Sequence, residues 1–358
     1  MTTERARAWA ATMAGAPGDG GIVLAHPGAA TRVGPRAYDR QAREELEDRL
    51  LAPGATRARG AGTRAAEEEP DPERTCFERD RDRILHSTAF RRLAGKTQVF
   101  VFPEDHQRTR LTHALEVAQV AASVARATGL NVALTEAIAL GHDCGHGPGG
   151  HASEDAFAKY LPGGYDHAVW GADVTLAPLN LCAETLDGIR NHSWSRPAPA
   201  TPEAAVVSWA DRCAYTAHDL EDAVRAGIVT PDELPEEVVA VCGRTRKEQL
   251  ATFVTALVGC IREHGVVGMA AEPAGALAAL RSFDYARIYT RPASVAQAEA
   301  VVTVLRALVE HFAERLGEQG GGVEAAVAYV SGMTDRFAFR TAVEALGWDP
   351  ARLPVGVS

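Results

Sequence analysis

The segment His142–His151 concentrates residues that can bind metal ions or transfer protons. It holds three histidines and one aspartate among four glycines, a composition that disfavours a helix. His142 and Asp143 are adjacent, while His113 and Asp211 each lie in a segment with helical spacing. Two imidazoles and two carboxylates suit a divalent metal ion and leave coordination positions for water and substrate. Any one of these residues alone would more often be an ordinary polar residue, so the prediction depends on the whole set.

Asp211 belongs to a second pattern. Asp211, Tyr215 and Asp219 follow one another at intervals of four residues and therefore share one face of a helix. One interpretation is a solvated polar stripe. The other is that Asp211 faces a metal ion while Tyr215 and Asp219 hydrogen-bond a substrate in the same groove. The positions on the other faces are apolar or small: Val206, Val207, Ala210, Cys213, Ala214 and Leu220.

The elements that position these residues are predicted to be helices. Apolar residues recur at helical spacing along most of the chain after Cys76, and the sequence has no sustained period-two alternation, so we predict an all-α fold. Thr201, Pro202 and Glu203 form a typical helix start. Helices are predicted over Tyr38–Leu51, Phe77–Gly95, Thr109–Thr128, Val132–Asp143, Ser153–Tyr160, Asp166–Leu176, Pro202–Ala226, Glu236–Gly243, Lys247–His264, Val295–Leu316 and Val323–Phe339.

The chain is predicted to comprise three regions. Residues 1–75 form an N-terminal arm with one helix and a mobile loop, residues 76–230 form the metal-dependent core, and residues 231–358 form a C-terminal helical region packed on that core. Residues 1–36 are rich in Ala, Gly and Pro, and we expect them to be poorly ordered. Residues 54–72 are rich in Arg, Ala and Gly and then in Glu, which predicts a surface loop or a mobile flap.

Composition and charge exclude several classes of protein. With 358 residues, 46% hydrophobic and 23% charged, the chain is not disordered, collagen-like or a coiled coil. Its net charge of −10 argues against a dominant sequence-independent interaction with nucleic acid, although a local basic groove is compatible with it. Six scattered cysteines indicate a reducing compartment, and we expect a cytoplasmic location. The apolar stretch Leu250–Ile261 is too short to span a bilayer, so no transmembrane helix is expected.

Five ordered segments resemble one enzyme family, the HD-domain deoxynucleoside triphosphate triphosphohydrolases, which include bacterial dGTPase and the mammalian SAM-and-HD-domain dNTPase. The resemblance extends from about Tyr38 to Phe339. It implies an all-α fold with an HD-domain helical core and a C-terminal helical phosphohydrolase-associated region. The segments are RDRDRILHSTAFRRLAGKTQVF (79–100), DHQRTRLTHALEVAQVA (105–121), HDCGHGPGGHASE (142–154), WADRCAYTAHDLEDA (209–223) and YVSGMTDRFAF (329–339).

The resemblance also implies a reaction and a metal site. A dNTP and water would give a deoxynucleoside and inorganic tripolyphosphate, with attack at the α-phosphorus beside one divalent ion that neutralises developing charge. Mn²⁺ or Mg²⁺ is the expected ion, with Fe²⁺, Co²⁺, Ni²⁺ or Zn²⁺ as alternatives. The family's metal ligands match His113, His142, Asp143 and Asp211, which agrees with the pattern found in the residues themselves.

Further positions correspond to catalytic and triphosphate-binding residues of the family. His151 matches a histidine that protonates the departing 5′ oxygen, and Glu154 would orient it. His146 and His167 match histidines that line the phosphate site. Arg110 matches an arginine on the triphosphate, a role that its fork geometry suits. Arg212 would add another cation there.

Three positions match residues that bind the sugar 3′-hydroxyl: Gln98, Tyr215 and Asp219. The tyrosine ring would also crowd the 2′ position against ribonucleotides. A buried polar pair of this kind discriminates strongly, because an analogue that lacks the hydroxyl leaves it unpaired. For Gln98, an ordinary loop glutamine remains the alternative.

The sequence departs from the family pattern at a few positions that spare every proposed ligand. Cys144 follows His-Asp where bacterial enzymes commonly have Leu, and Ala168 follows His167 where Asn is usual. Gly147-Pro148-Gly149-Gly150 replaces Pro-Pro-Phe-Gly, and loss of the Phe predicts a looser loop. These changes bear on rate and substrate range more than on the class of reaction.

Two other functions compete with the dNTP triphosphohydrolase. The first is an HD phosphohydrolase acting on nucleoside monophosphates or cyclic nucleotides, which the candidate triphosphate-binding residues make less favourable. The second is a weakly catalytic regulatory protein that binds a nucleotide or single-stranded nucleic acid, which the complete set of metal ligands and the net charge of −10 make less favourable. The resemblance also implies a homo-oligomer, with an effector nucleotide as a further partner, and no membrane association is expected.

Overall fold

Helices form nearly all the regular structure, so the all-α prediction is confirmed. The contacts between residues divide the chain into two units, Met1–Tyr38 and Asp39–Ser358. The computed structural model describes four stretches of the chain: residues 3–29, 32–103, 105–317 and 321–354.

The first unit contains one helix and a short hairpin. Helix α1 spans Glu4–Ala11, and the two-residue strands β1 (Ala16–Pro17) and β2 (Val23–Leu24) pair antiparallel. We expected poor order here, yet the described residues include this helix, which begins where the Thr3 hydroxyl accepts a backbone hydrogen bond at 3.3 Å. No residue of α1 is buried, so local capping rather than packing accounts for it.

The second unit is built from fifteen helices in its described residues, and π-helical turns extend two of them, at Gly171–Thr175 and Tyr285–Tyr289. In chain order the helices are α2 (Arg40–Leu50), α3 (Cys76–His86), α4 (Thr88–Arg92), α5 (Arg110–Thr128), α6 (Val132–Gly141), α7 (Ala152–Phe157), α8 (His167–Trp170), α9 (Ala183–Arg190), α10 (Pro202–Arg225), α11 (Glu236–Cys242), α12 (Arg246–His264), α13 (Ala271–Asp284), α14 (Pro292–Gly317), α15 (Val323–Ser331) and α16 (Asp335–Leu346).

The main core surrounds α6, which packs against α3, α5, α9 and α10. Val124 on α5, Ile138 on α6 and Val207 on α10 are fully buried in it. Burial of such apolar surface contributes about 25 cal/mol per Å². The core therefore fixes α5, α6 and α10, the helices that carry or precede the predicted metal ligands, relative to one another.

A second apolar cluster joins the C-terminal helices to α7. Phe157 on α7 is buried together with Val301 and Leu305 on α14, Val330 on α15 and Phe339 on α16. Because α7 directly follows the glycine-rich segment, this cluster places the C-terminal helices next to that segment.

The observed helices differ from the predicted ones in several places, and one of them is Val323–Phe339, where the structure has two helices, α15 and α16, separated between Ser331 and Asp335. The predicted helix Phe77–Gly95 is interrupted at Ser87, whose backbone is extended (ψ 153°) and whose hydroxyl accepts from the N–H of Phe90 at 3.1 Å. This hydroxyl starts a new helix, because serine competes well for free backbone donors. Helix α13 was not predicted, since its alanine-rich sequence has little contrast between faces.

Residues 54–72 form a loop, as expected, but the loop is anchored. Arg64 donates to Asp80 at 2.7 Å and to the carbonyl of Cys76 at 3.0 Å, and its side chain is only 7% exposed. The loop borders a cavity of about 570 Å³ lined by several arginines. Those arginines are paired with carboxylates, for example Arg74 with Asp71 at 2.8 Å, so their charge is already compensated.

Helix α14 is long and apolar enough to cross a membrane by length and composition alone. No helix of this kind was predicted from the sequence. A core helix of a soluble protein meets the same criteria, and α14 buries Val304, Leu308 and Val309 against its neighbours. The finding is therefore weak evidence for a membrane span.

Candidate active site

The fold brings the four predicted metal ligands together. His113 lies in the first turn of α5, His142 and Asp143 follow the end of α6, and Asp211 lies in the middle of α10. Asp211 Oδ1 is 3.0 Å from His113 Nε2 and 3.6 Å from His142 Nε2. Asp143 Oδ1 is 3.5 Å from His142 Nε2, and Asp143 Oδ2 is 3.9 Å from His113 Nε2. Two nitrogen and two oxygen donors therefore face one point.

The state of His142 fits a metal site. Its Nδ1 donates to the carbonyl of Ala139 at 2.6 Å, which leaves Nε2 as the free donor atom. That Nε2 is buried and has no hydrogen-bond partner in the described part of the chain. Burial lowers the pKa of His142, but Asp143 and Asp211 outweigh it and raise the pKa to about 9. The site thus favours a positive charge at this position, and imidazole with carboxylate is a donor set suited to a divalent ion.

Both carboxylates are ionised, although Asp143 is buried and Asp211 is half-buried. Burial raises the pKa of Asp143, but Arg110 and His142 hold it well below its usual range. Burial likewise raises the pKa of Asp211, and the hydrogen bond with His113, together with the nearby His142, holds it low. Two carboxylates that stay charged in a water-poor site supply the negative field that a divalent ion needs.

His151 and Glu154 form a hydrogen-bonded pair beside the metal cluster. His151 Nδ1 is 3.0 Å from Glu154 Oε2, and the histidine side chain is 72% exposed towards the open side of the pocket. The other oxygen, Glu154 Oε1, accepts from the backbone N–H of His167 at 2.9 Å and lies 2.8 Å from its Nδ1. Burial raises the pKa of Glu154, but the hydrogen bonds from both histidines lower it below its usual range. Glu154 therefore orients two rings as a carboxylate.

The residues predicted to bind triphosphate also lie here. His146 stacks on His167 with ring centroids 3.7 Å apart, and burial, followed by Arg110 and His167, lowers the pKa of His146 well below its usual value. Arg110 donates to Asp143 Oδ2 at 2.6 Å. Gly145 makes this proximity feasible, because a Cβ there would lie 2.0 Å from the carbonyl oxygen of His167.

Arg212 lines the same pocket, where an aromatic ring holds its side chain. Its guanidinium lies over the ring of Trp194, 3.5 Å from the centroid, and Trp194 is 45% exposed. The Trp194 indole donates to the carbonyl of Ser208 at 3.1 Å, which fixes the ring. The stacked pair forms one wall of the pocket.

The predicted sugar-binding residues also line this pocket. Gln98 Oε1 is buried and has no hydrogen-bond partner among the residues that the structure describes. The Tyr215 hydroxyl accepts from Arg281 Nε at 2.8 Å, and Asp219 accepts from the Tyr289 hydroxyl at 2.6 Å. Burial raises the pKa of Asp219 to about 7. These groups offer donors and acceptors to a polar ligand.

One cavity of about 450 Å³ unites these groups. Its size suits a nucleotide-sized ligand. Of the thirteen predicted residues, two do not line it: His142 lies behind the surface, and Glu154 lies behind His151 and His167. The eleven that line it are Gln98, Arg110, His113, Asp143, His146, His151, His167, Asp211, Arg212, Tyr215 and Asp219.

The pocket residues that were not predicted from the sequence include Trp194, Arg281, Tyr289 and above all His192. His192 is 2% exposed, and its Nε2 is 3.3 Å from His167 Nε2. Its donor atom also lies within 4.8 Å of those of His142 and Asp143. Nothing around His192 in the sequence distinguishes it from an ordinary loop histidine. The other three residues belong to segments that the sequence alone does not place next to the pocket.

The comparisons with known proteins agree with this geometry. The HD domain model matches residues 110–216, a range that contains all four clustered ligands. A deoxyguanosinetriphosphate triphosphohydrolase-like protein of Caldanaerobacter subterraneus is 42% identical over 316 residues, covering 84% of this chain and 93% of that protein. A protein of the same description from Clostridium perfringens strain SM101 is 38% identical over 296 residues, covering 75% of this chain and 86% of its own.

A solved structure of a hypothetical protein from Aquifex aeolicus aligns with 74% of this chain and 68% of its own, at 16% identity and a TM-score of 0.45, which is too low to bear on the fold. The two similar sequences cover nearly their whole length as well as most of this chain. On that extent of identity, and on the HD domain that holds the clustered histidines and aspartates, the chain belongs to the deoxyguanosinetriphosphate triphosphohydrolase-like family of HD-domain proteins.

Proposed function

We propose that the chain is a metal-dependent triphosphohydrolase that converts a dNTP and water to a deoxynucleoside and inorganic tripolyphosphate. One observation carries the proposal: the cluster of two histidines and two aspartates opens onto the same 450 Å³ cavity as the His151–Glu154 pair and the Tyr215 and Asp219 side chains. The cavity therefore combines a metal site, a proton donor and polar groups for a sugar. The names of the similar proteins support the same class of substrate.

The metal ion would be held by His113, His142, Asp143 and Asp211. A divalent ion in this position supplies Lewis-acid polarisation of a phosphoryl oxygen and of water. Mn²⁺ or Mg²⁺ is the proposed ion, and Fe²⁺, Co²⁺, Ni²⁺ or Zn²⁺ would also be compatible with two nitrogen and two oxygen donors.

Arginine and histidine side chains around the cluster would bind the triphosphate. Arg110 presents a planar fork next to Asp143, and it can share its donors with a phosphate oxygen. His146 and His167 lie directly beside it, and their stacked rings leave ring edges available as donors. Together they would hold the phosphates so that the α-phosphorus lies between the metal cluster and His151.

His151 would act as the general acid. Its Nδ1 is held by Glu154, so Nε2 is the atom that can carry a proton to the 5′ oxygen. Water forms the new bond to the α-phosphorus as the bond from that phosphorus to the 5′ oxygen breaks. The 5′ oxygen takes the proton from His151, and a proton released by the water restores it.

Gln98, Tyr215 and Asp219 would select the sugar. Each lines the cavity and carries a polar side-chain group, and Arg281 fixes the tyrosine ring. A 3′-hydroxyl can pair with the amide and the carboxylate, while a 2′-hydroxyl would meet the ring. Unpaired buried polar groups make the wrong sugar costly.

Product analysis tests the proposal. The protein is incubated with each dNTP and with GTP, with and without Mn²⁺ or Mg²⁺, and products are separated by anion exchange. We expect tripolyphosphate and deoxynucleoside from the wild type and from Asp232→Asn, a control at a surface carboxylate whose side chain is 92% exposed. Asp211→Asn should lose the activity. Stepwise release of orthophosphate, hydrolysis of monophosphates or cyclic nucleotides alone, or no consumption of any nucleotide would overturn it.

A further inference from the structure

The segment Tyr329–Phe339 resembles a family motif, yet no residue of it lines the cavity. Asp335 in this segment is buried, with 1% exposure, in the first turn of α16. A buried carboxylate needs donors, and Asp335 has three. Its Oδ2 accepts from the backbone N–H of Thr97 at 2.9 Å and from the Thr97 hydroxyl at 2.6 Å. Its Oδ1 accepts from the backbone N–H of Gly149 at 2.8 Å.

A second buried charge links the same parts of the chain. Lys96 is 3% exposed, and its ammonium group donates to the carbonyl of Ser331 at 3.0 Å and to the carbonyl of His146. The C-terminal helices are therefore linked to the glycine-rich segment at two points, directly through Asp335 and indirectly through Lys96. They also contact the chain immediately before Gln98.

The glycine-rich turn needs such an anchor. Gly149 and Gly150 have φ values of +74° and +63°, a conformation that glycine adopts without penalty but does not hold by itself. A Cβ at Gly149 would lie 2.4 Å from Val301 Cγ1, so a stiffer residue cannot replace it. Ser153 holds the other side of the turn, accepting from the N–H of Gly147 at 3.0 Å and donating to the carbonyl of Gly150 at 2.6 Å.

His151 directly follows this turn, and its exposed ring is held at Nδ1 by Glu154. The position of its Nε2 therefore depends on the backbone at Gly149 and Gly150. Thr97 has a similar relation to Gln98, which it precedes. One carboxylate thus fixes the backbone next to two residues that line the cavity.

We infer that Asp335 is a positioning residue for the reaction: through Gly149 it fixes the general acid His151, and through Thr97 it fixes the sugar-binding Gln98. The inference rests on the proposed function for the roles of those two residues. The segment Tyr329–Phe339 then connects the C-terminal helices to the glycine-rich turn. This connection also explains how the turn stays ordered without the aromatic residue that bacterial relatives commonly have.

The test compares Asp335→Asn with Arg340→Ala, a control on the same helix that stacks on Phe337 away from the turn. Asparagine keeps the shape of the side chain but offers a single acceptor oxygen, so it must give up Gly149 or Thr97. We expect kcat to fall by about 10- to 100-fold, the cost of misplacing a reacting group by about 1 Å. Mn²⁺ affinity should change by less than about 2-fold, because none of the four proposed metal ligands is among the hydrogen-bond partners of Asp335.

Amide hydrogen exchange gives a readout that needs no activity. In Asp335→Asn the peptide spanning residues 147–151 or the one spanning 96–98 should exchange faster, while peptides from α5 and α10 should not. Faster exchange with no nucleotide hydrolysis by the wild type would refute the proposed function but not the anchoring. Unchanged exchange in both peptides, or a loss of kcat fully explained by a smaller folded fraction, would overturn the inference.

Thr97→Val provides a second test if Asp335→Asn does not fold. It removes the hydroxyl that donates to Asp335 at 2.6 Å but keeps the backbone N–H. Since Thr97 lies beside Gln98, we expect KM for a dNTP to rise about 3- to 10-fold while kcat stays within about 2-fold, as for the loss of one buried hydrogen bond. Unchanged KM would contradict the role of Asp335 towards Gln98.

Discussion

The Nε2 atoms of His167 and His192 lie 3.3 Å apart inside the pocket. His192 Nδ1 donates to the carbonyl of Ile189 at 2.8 Å, and burial, followed by the nearby His142, lowers the pKa of His192 to about 3. His192 is therefore neutral, and its Nε2 is an acceptor that faces the His167 ring. His167 Nδ1 lies 2.8 Å from Glu154 Oε1, so both ring nitrogens of His167 have a partner. His192 thus fixes the His167 ring next to the proposed phosphate site.

His192→Phe should weaken nucleotide binding, because phenylalanine fills the space of the ring but cannot form the contact with His167 Nε2 at 3.3 Å. We expect KM for a dNTP to rise about 3- to 10-fold, as for the loss of one buried hydrogen bond. His264→Phe, at the exposed end of α12, is the control. An unchanged KM would contradict this account.

His151→Gln should lower kcat by about 10²–10⁴-fold with little change in KM, because general acid catalysis acts in the transition state and not in binding. A substrate whose 5′ oxygen is replaced by sulfur needs no proton to depart. Its hydrolysis should therefore be nearly equal in the wild type and the variant. If the variant is equally impaired on the sulfur substrate, His151 is not the general acid.

Tyr215→Ala should reduce discrimination against ribonucleotides. Removing the ring opens the space expected to exclude the 2′-hydroxyl, so the ratio of kcat/KM for dGTP over GTP should fall by roughly 10-fold or more. Arg281→Met keeps the ring but removes its hydrogen bond at 2.8 Å, and it should give a smaller loss. An unchanged ratio in both variants would place sugar selection elsewhere.

Asp284 should make stability depend on pH. Burial, with a smaller effect of Asp219, raises the pKa of Asp284 to about 9, and neither oxygen has a hydrogen-bond partner in the described residues. An unfolded aspartate has a pKa of about 4, so the folded chain binds more protons between about pH 4 and 9, and its stability falls as pH rises. Asp284→Asn removes this dependence and should raise the free energy of unfolding at pH 8 by roughly 2–5 kcal/mol.

Urea unfolding of the wild type and Asp284→Asn at pH 5 and pH 8 checks this. The advantage of the variant should be smaller at pH 5, where less of the proton-binding difference has accumulated. Asp232→Asn serves as the exposed control. Parallel pH profiles for the wild type and Asp284→Asn would show that Asp284 titrates normally.

The sequence predicts what depends on local pattern. The helical spacing of the apolar residues predicts the all-α class. The concentration of histidines and glycines in residues 142–151 predicts that His142 and Asp143 belong to a functional site. The predicted helix Phe77–Gly95 breaks at Ser87 because the Ser87 hydroxyl accepts a hydrogen bond from a backbone N–H. The apolar spacing continues across this position and therefore does not predict the break. Helix α13 lacked a distinct apolar face, so its existence depends on tertiary packing.

Local sequence patterns do not predict contacts between residues that are far apart along the chain. Tyr289 reaches Asp219 across 70 residues, and Asp335 reaches Thr97 across 238. No local spacing encodes such pairs. The stacking of Arg212 on Trp194 was hidden for the same reason, because nothing in either segment indicates the other.

The position of the new oxygen in the product tests the central claim most directly. Wild-type protein hydrolyses dGTP in ¹⁸O-enriched water with Mn²⁺, and products are examined by ³¹P NMR and mass spectrometry, with Asp211→Asn as the inactive control. Attack at the α-phosphorus predicts tripolyphosphate with one ¹⁸O on a terminal phosphorus and unlabelled deoxyguanosine. Label in orthophosphate or pyrophosphate as the first product, or in the 5′-hydroxyl of the nucleoside, would contradict the account.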